Sequence, residues 1–172
     1  EDDFYAALSA GPVEPLDRSF SLDEVLASVG LRERMRSISL DSINFEFGSW
    51  DVGPDQAVII EPVAAVMRDM ANQNPGEVFL IEGHTDAVGS DIDNLSLSDR
   101  RAEAIAAVLS ERFGIPRENL VTQGYGKQFL LIPTDAPERR NRRVVIRRIT
   151  PLLQGDSDRY SSGYGPGDRD RR

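Results

Sequence analysis

The chain has no cysteine and a single histidine among its 172 residues. The first absence excludes a disulfide framework, a thiolate nucleophile and a lipid-bearing N-terminal cysteine within this stretch. The second excludes a multi-histidine metal site, and no metal or other cofactor is expected. No apolar run approaches the roughly 18 residues that would span a membrane as a helix. Basic residues are the minority, 20 Lys and Arg against 29 Asp and Glu, and the net charge of −9 argues against a general nucleic-acid binder. Glu1 to Phe4 do not open a signal peptide and there is no initiator Met, so the chain is expected to be a processed product or an excised piece. What remains is 40% hydrophobic and 28% charged, enough for one real core and unlike a collagenous or wholly disordered chain.

The chain reads in three parts. Residues 1–35 are an acidic arm with short helices, broken by Pro12 and Pro15, in which Ser21 and Glu24 match a helix-capping box. Residues 36–150 form the core domain. Ile43, Phe45 and Phe47 alternate with polar residues as in a half-buried strand. Pro54 suits the first position of a helix reaching about Asn72, which Pro62 should bend. Val78 to Thr85 is an apolar strand. A second long helix is expected from a Ser98 N-cap, with Ala102, Ile105, Ala106, Leu109 and Phe113 on one stripe and Gly114 at its end. Residues 120–123 and 144–149 supply two further strands. Helices between strands require crossovers. The fold expected is therefore a small α/β sandwich, β-α-β-α-β-β, with two long helices on a mixed sheet of about four strands. Residues 151–172, rich in Gly, Ser, Asp and Arg, are expected to be a disordered tail.

The chemistry concentrates in Gly83-His84-Thr85-Asp86-Ala87-Val88-Gly89, followed by Asn94, Leu97-Ser98 and Arg101-Ala102. This stretch leaves the C-terminal end of a strand, the edge at which α/β sheets bind ligands. With Ser98 as cap, Arg101 would be the third residue of its helix, near free backbone N–H groups. A carboxylate and a guanidinium there suit a zwitterion, Asp86 taking an ammonium and Arg101 a carboxylate through its planar fork. Spacing alone equally allows, and favours, an ordinary structural ion pair between the two.

The run GHTDxxG…NxxLSxxRAxxI, Gly83 to Ile105, resembles the C-terminal domain of the OmpA family, shared by peptidoglycan-associated lipoproteins and flagellar stator proteins of the MotB type. Ile43 to Ser49 looks like that family's first strand, Gly124-Tyr125-Gly126 like its third strand end, and Asn141-Arg142-Arg143-Val144 like the entry to its last strand. The resemblance implies non-covalent binding of peptidoglycan through the diaminopimelate of its stem peptide. It would anchor an envelope protein or the outer membrane to the wall from the periplasm. Carried over residue by residue, Asp86 would hold the ammonium and Arg101 the carboxylate. Gly48, Thr85 and Asn94 would line the pocket, and Arg143 would sit at its edge. A stator-type anchor, in which the domain forms a homodimer, is the first rival; a small α/β wall hydrolase is the second, with no metal cluster, Cys nucleophile or Ser-His-Asp motif behind it.

Other candidates read as structural. His84 should support its loop. The six arginines 139, 140, 142, 143, 147 and 148 contain no aromatic for stacking bases and suit a solvated or ligand-edge face. Trp50 and Tyr125 are expected to be packing residues.

Overall fold

The run Phe-Leu-Ile-Glu-Gly-His at 79–84 lacks polar alternation, the pattern of a strand covered on both faces. In the computed structural model, which describes residues 2–40, 43, 45 and 48–154, all six are buried in one strand. The elements are α1 (Asp2–Ser9), α2 (Leu22–Ala27), α3 (Val29–Arg32), β1 (Ser37–Ser39), α4 (Pro54–Gln73), β2 (Phe79–His84), α5 (Asp91–Glu111), β3 (Leu120–Gly124), β4 (Arg143–Arg148) and α6 (Thr150–Gln154). The strands form one sheet in the order β1-β4-β2-β3. β2 and β3 run parallel, and β4 is antiparallel to both of its neighbours. The parallel pair needs a crossover, and α5 supplies it. This is the mixed four-stranded α/β sandwich that the sequence pattern implied.

Both long helices cover the same face. Ile60, Val63 and Met67 of α4 and Ile105 and Leu109 of α5 meet Phe79, Ile81, Val144 and Ile146 of the sheet. Pro54 occupies the first turn of α4, and the helix runs through Pro62 to Gln73. From the arm, α1 adds Leu8 to this core beside α4 and β1. The rest of the arm covers the opposite face, where Leu16, Phe20, Val25 and Met35 close over Leu80 and Ile149. Each such side chain, fully buried, contributes roughly 1.5–3 kcal/mol.

The arm is also locked by charge. Arg32 is 1% exposed. Its Nη1 donates to Val25 O (3.2 Å) and Leu26 O (2.7 Å), and its guanidinium stacks 4.1 Å from the Tyr125 ring centroid. Its Nε lies 3.3 Å from Glu82 Oε1, at ion-pair distance though outside hydrogen-bond geometry. Arg147 completes the group, donating from Nε to Glu82 Oε2 (2.5 Å) and from Nη1 to Arg32 O and Met35 O. Burial pushes the Glu82 carboxyl up, but His84 and Arg147 beside it prevail and hold it below its ordinary value.

Three expectations change. The long helix starts at Asp91, capped by Ser90, whose Oγ accepts from Asp93 N (3.1 Å). Ser98 is therefore not a cap but a fully buried mid-helix residue. Its hydroxyl donates to Leu95 O and accepts from Gly126 N. The proposed tail does not begin at 151, because residues 151–154 belong to α6 and Leu152 is buried with Leu16 and Phe20. The rest of that tail lies outside the described residues. The first strand is assigned at 37–39. Of the segment 43–47 only Ile43, buried, and Phe45, packed on the core, are described, and neither is in a strand.

Candidate functional site

The site follows from how closely α5 approaches the sheet. Gly83 and Gly124 face each other across β2 and β3. A Cβ on Gly83 would stand 2.0 Å from Ser98 O, and one on Gly124 2.3 Å from Asp99 N. Only glycine admits the helix at this point. Asp99 Oδ1 and Ser98 Oγ then accept from the backbone N–H groups of Gly124 and Gly126. Ser98 is thus fixed on the strand ends, and residues 94, 98 and 101 share its face of the helix. Asn94 lies one turn before it and Arg101 one turn after.

Beyond β2, Thr85 N donates to Gly126 O (2.9 Å) and prolongs the strand pairing. Asp86 then turns the chain. Its Oδ1 accepts from Val88 N (3.1 Å), and Asn94 Nδ2 donates to Val88 O (2.9 Å), closing the loop onto α5. From outside, Lys127 Nζ donates to Gly89 O at 2.7 Å and to Ala87 O at 3.4 Å. The carboxylate carrier is therefore held at both ends.

Between this loop, α5, Phe45 and Gly48 lies a cleft of about 380 Å³. Five of the six residues expected at a site border it: Gly48, Thr85, Asp86, Asn94 and Arg101. Phe45, Val88 and Leu97 give it apolar walls. Arg101 is buried. Its Nε donates to Ser49 O (3.0 Å) and its guanidinium lies 4.9 Å from the Phe45 ring centroid. Burial lowers its pKa, Arg142 adding to the effect and Asp86 opposing it.

Arg143 is not brought to the cleft. It opens β4 opposite His84, and donates to Phe129 O and Asn141 O. Arg142 lines the cleft instead, its Nη1 2.6 Å from Asp86 Oδ2. The ion pair of Asp86 is thus with Arg142. Asn141, fully buried, places it by pairing its side-chain amide with both N and O of Ile132. The basic cluster marked this region in sequence, but which arginine faces the cleft depends on where β4 starts. Asp93 of the first turn of α5 is the other charged lining residue that the motif did not flag.

Among the described residues, the cleft is lined by two acids, Asp86 and Asp93, and two guanidiniums, Arg101 and Arg142. Such a balance accepts a ligand bearing both charges with no net charge buried. Arg101 sits at mid-helix, so the helix-terminus field invoked for it does not reach it; the first turn of α5 lies at the Asn94 end. His84 is buried away from the cleft, stacked at 5.6 Å on Tyr125 and 3.7 Å from Glu82 Oε1. Burial holds its imidazole below the ordinary pKa; Glu82 opposes this and Arg143 reinforces it. Tyr125 packs, as expected, and donates to Leu26 O. Trp50 packs only in part: it is 41% exposed, with Arg100 against its ring.

Comparison with known proteins finds a matching family and matching folds. The model of the OmpA family matches residues 44–143. The putative lipoprotein YfiB of Escherichia coli is 32% identical over 139 residues, 77% of this chain and 84% of that protein. Outer membrane porin F of Pseudomonas aeruginosa is 34% identical over 109 residues, 62% of this chain but only 30% of the porin. Among solved structures, the peptidoglycan-associated lipoprotein of Burkholderia pseudomallei superposes with a TM-score of 0.51 at 27% identity, over 63% of this chain and 87% of that one.

Proposed function

The chain belongs to the OmpA family, and on that premise we propose that it binds peptidoglycan non-covalently and ties a bacterial envelope protein to the wall. One observation carries the reading: Asp86, Arg101, Thr85, Asn94 and Gly48, distant in sequence in part, border one cleft at the C-terminal end of β2. The ligand group is the free end of diaminopimelate, where one carbon bears an ammonium and a carboxylate. Asp86 Oδ2, shared with Arg142, receives the ammonium. Arg101 donates to the carboxylate, and Arg142 is close enough to turn from Asp86 toward it. Arg142 is 39% exposed while the Asp86 side chain is 11% exposed, so the guanidinium can swing toward water as the ligand ammonium takes its place on the carboxylate. Val88 and Leu97 pack against the aliphatic chain of the ligand. The cleft supplies recognition rather than bond cleavage: its charged groups are partners for the ligand's two charges, and the single histidine, His84, is buried elsewhere.

Sacculus pull-downs test this. Asp86→Asn keeps an oxygen for the Val88 N–H but removes the charge, and Arg101→Lys keeps the charge but loses the fork. Both variants should remain folded by melting and retain about tenfold less on sacculi, the loss expected for one charge-assisted hydrogen bond. Folded variants that bind like the parent would defeat the assignment.

A further inference from the structure

Trp50 is the only tryptophan in the chain. A lone exposed apolar side chain is ordinary on a protein surface and needs no explanation. This one is not placed at random. It lies two residues after Gly48, which borders the cleft, and follows Ser49, whose carbonyl receives Arg101 Nε. Arg100 and Arg101, neighbours on α5, diverge. Arg101 enters the cleft, while Arg100, exposed, brings its guanidinium carbon to 4.6 Å from the Trp50 ring centroid. The cation packs on the indole from one side, and Arg100 itself stays exposed. An aromatic plate beside an exposed guanidinium can pack against the C–H face of a sugar ring while donating to its hydroxyl, acetamido or carboxylate oxygens.

The proposed ligand calls for such a plate. Diaminopimelate is the third residue of the stem peptide, so two residues, about 7 Å of extended chain, separate it from the lactyl group on the sugar. With diaminopimelate in the cleft, the first sugar must lie outside it and near its mouth. We propose that Trp50 and Arg100 form a saccharide subsite that holds the amino-sugar end of the same ligand; the proposal rests on the reading of the cleft given above.

The sole tryptophan makes the test direct. The wild-type chain is titrated with a disaccharide–tripeptide containing diaminopimelate, and with the same tripeptide lacking sugar. The disaccharide ligand should shield Trp50 from acrylamide quenching and bind about tenfold more tightly, the contribution of one good aromatic contact. Calorimetry on Trp50→Ala should show that margin gone and the tripeptide affinity unchanged, with Trp50→Phe keeping part of it. Equal affinity of the wild type for both ligands overturns the subsite and leaves the cleft reading intact. So does a Trp50→Ala variant that weakens both ligands alike, which would make the residue a mere support of the wall. If neither ligand binds the wild type, the cleft reading fails and the subsite falls with it.

Discussion

Replacing Gly83 by alanine adds one methyl group and should damage both the fold and the site. The new Cβ would stand 2.0 Å from Ser98 O and 2.7 Å from Ser98 C. Both are backbone atoms of a helix, so no side chain can swing aside. Ordinary contact needs a separation of about 3.4 Å or more, and α5 must retreat from β2 by more than 1 Å. Overpacking of a tight interface costs roughly 1–3 kcal/mol, and a clash between main chains belongs at the upper end. For a chain of this size, about 3 kcal/mol lowers the melting temperature by about 6–12 °C. The same retreat carries Asn94 and Arg101 away from Asp86, because both lie on α5 with Ser98 while Asp86 follows β2. Binding to sacculi should therefore fall at temperatures where the variant is still folded, by more than its stability loss explains. Gly11→Ala is the control, since nothing lies within 4 Å of a Cβ there. A Gly83→Ala protein that melts and binds like the parent would refute the close approach of α5 on which the site is built.

Glu82→Ala should cost about 3–5 kcal/mol, because it leaves Arg32 buried without its counter-charge; thermal melts should show the drop, and limited proteolysis should begin in residues 1–35. Acid should destabilise the fold in two stages. The folded His84 pKa lies below the unfolded value of about 6.5, so the folded state binds fewer protons. Its contribution is complete above that pH and is lost as pH falls through and below it. Glu82, also lowered, adds a second loss below about pH 4.5. Melting temperatures measured from pH 8 to pH 4 should fall toward acid, and His84→Gln should flatten the upper stage and, because His84 helps hold Glu82 down, also shrink the lower one; a protein that gains stability between pH 7.5 and 5.5 would contradict the buried network.

The parts of the fold that packing dictates could be read from sequence almost to the residue. Pro54 and the spacing of Val63, Val66, Met67 and Met70 marked α4, although Ile60 rather than the expected Ile59 faces the core, and the apolar run Val78 to Ile81 marked β2, since both must satisfy a covered sheet. The start of α5 could not be read that way. Its first two turns overhang the sheet, leaving Ile92 80% exposed, so the stripe that marks a packed helix begins only further on. Ser98-Asp99 then imitates a cap, although Ser90 with Asp91 and Asp93 is the real one. The motif residues 94, 98 and 101 already implied a single helical face, a signal that outweighs the apparent cap. The choice of Arg142 over Arg143 turned on one position of strand phase. The charged lock of Arg32, Glu82 and Arg147 had no signature at all, because buried ion pairs follow no periodicity.

The central claim is that the cleft reads both charges of a diaminopimelyl end, and its most direct test is a ratio of two dissociation constants. Calorimetry compares the wild-type chain binding a stem tripeptide that ends in diaminopimelate with one that ends in lysine. Lysine keeps the ammonium and the aliphatic chain but lacks the carboxylate, leaving the Arg101 guanidinium in the cleft without its ligand partner. A hydrogen bond to a charged group contributes about 1.5–3 kcal/mol, so the diaminopimelate peptide should bind roughly ten- to a hundredfold more tightly. Equal constants for the two peptides would contradict the account.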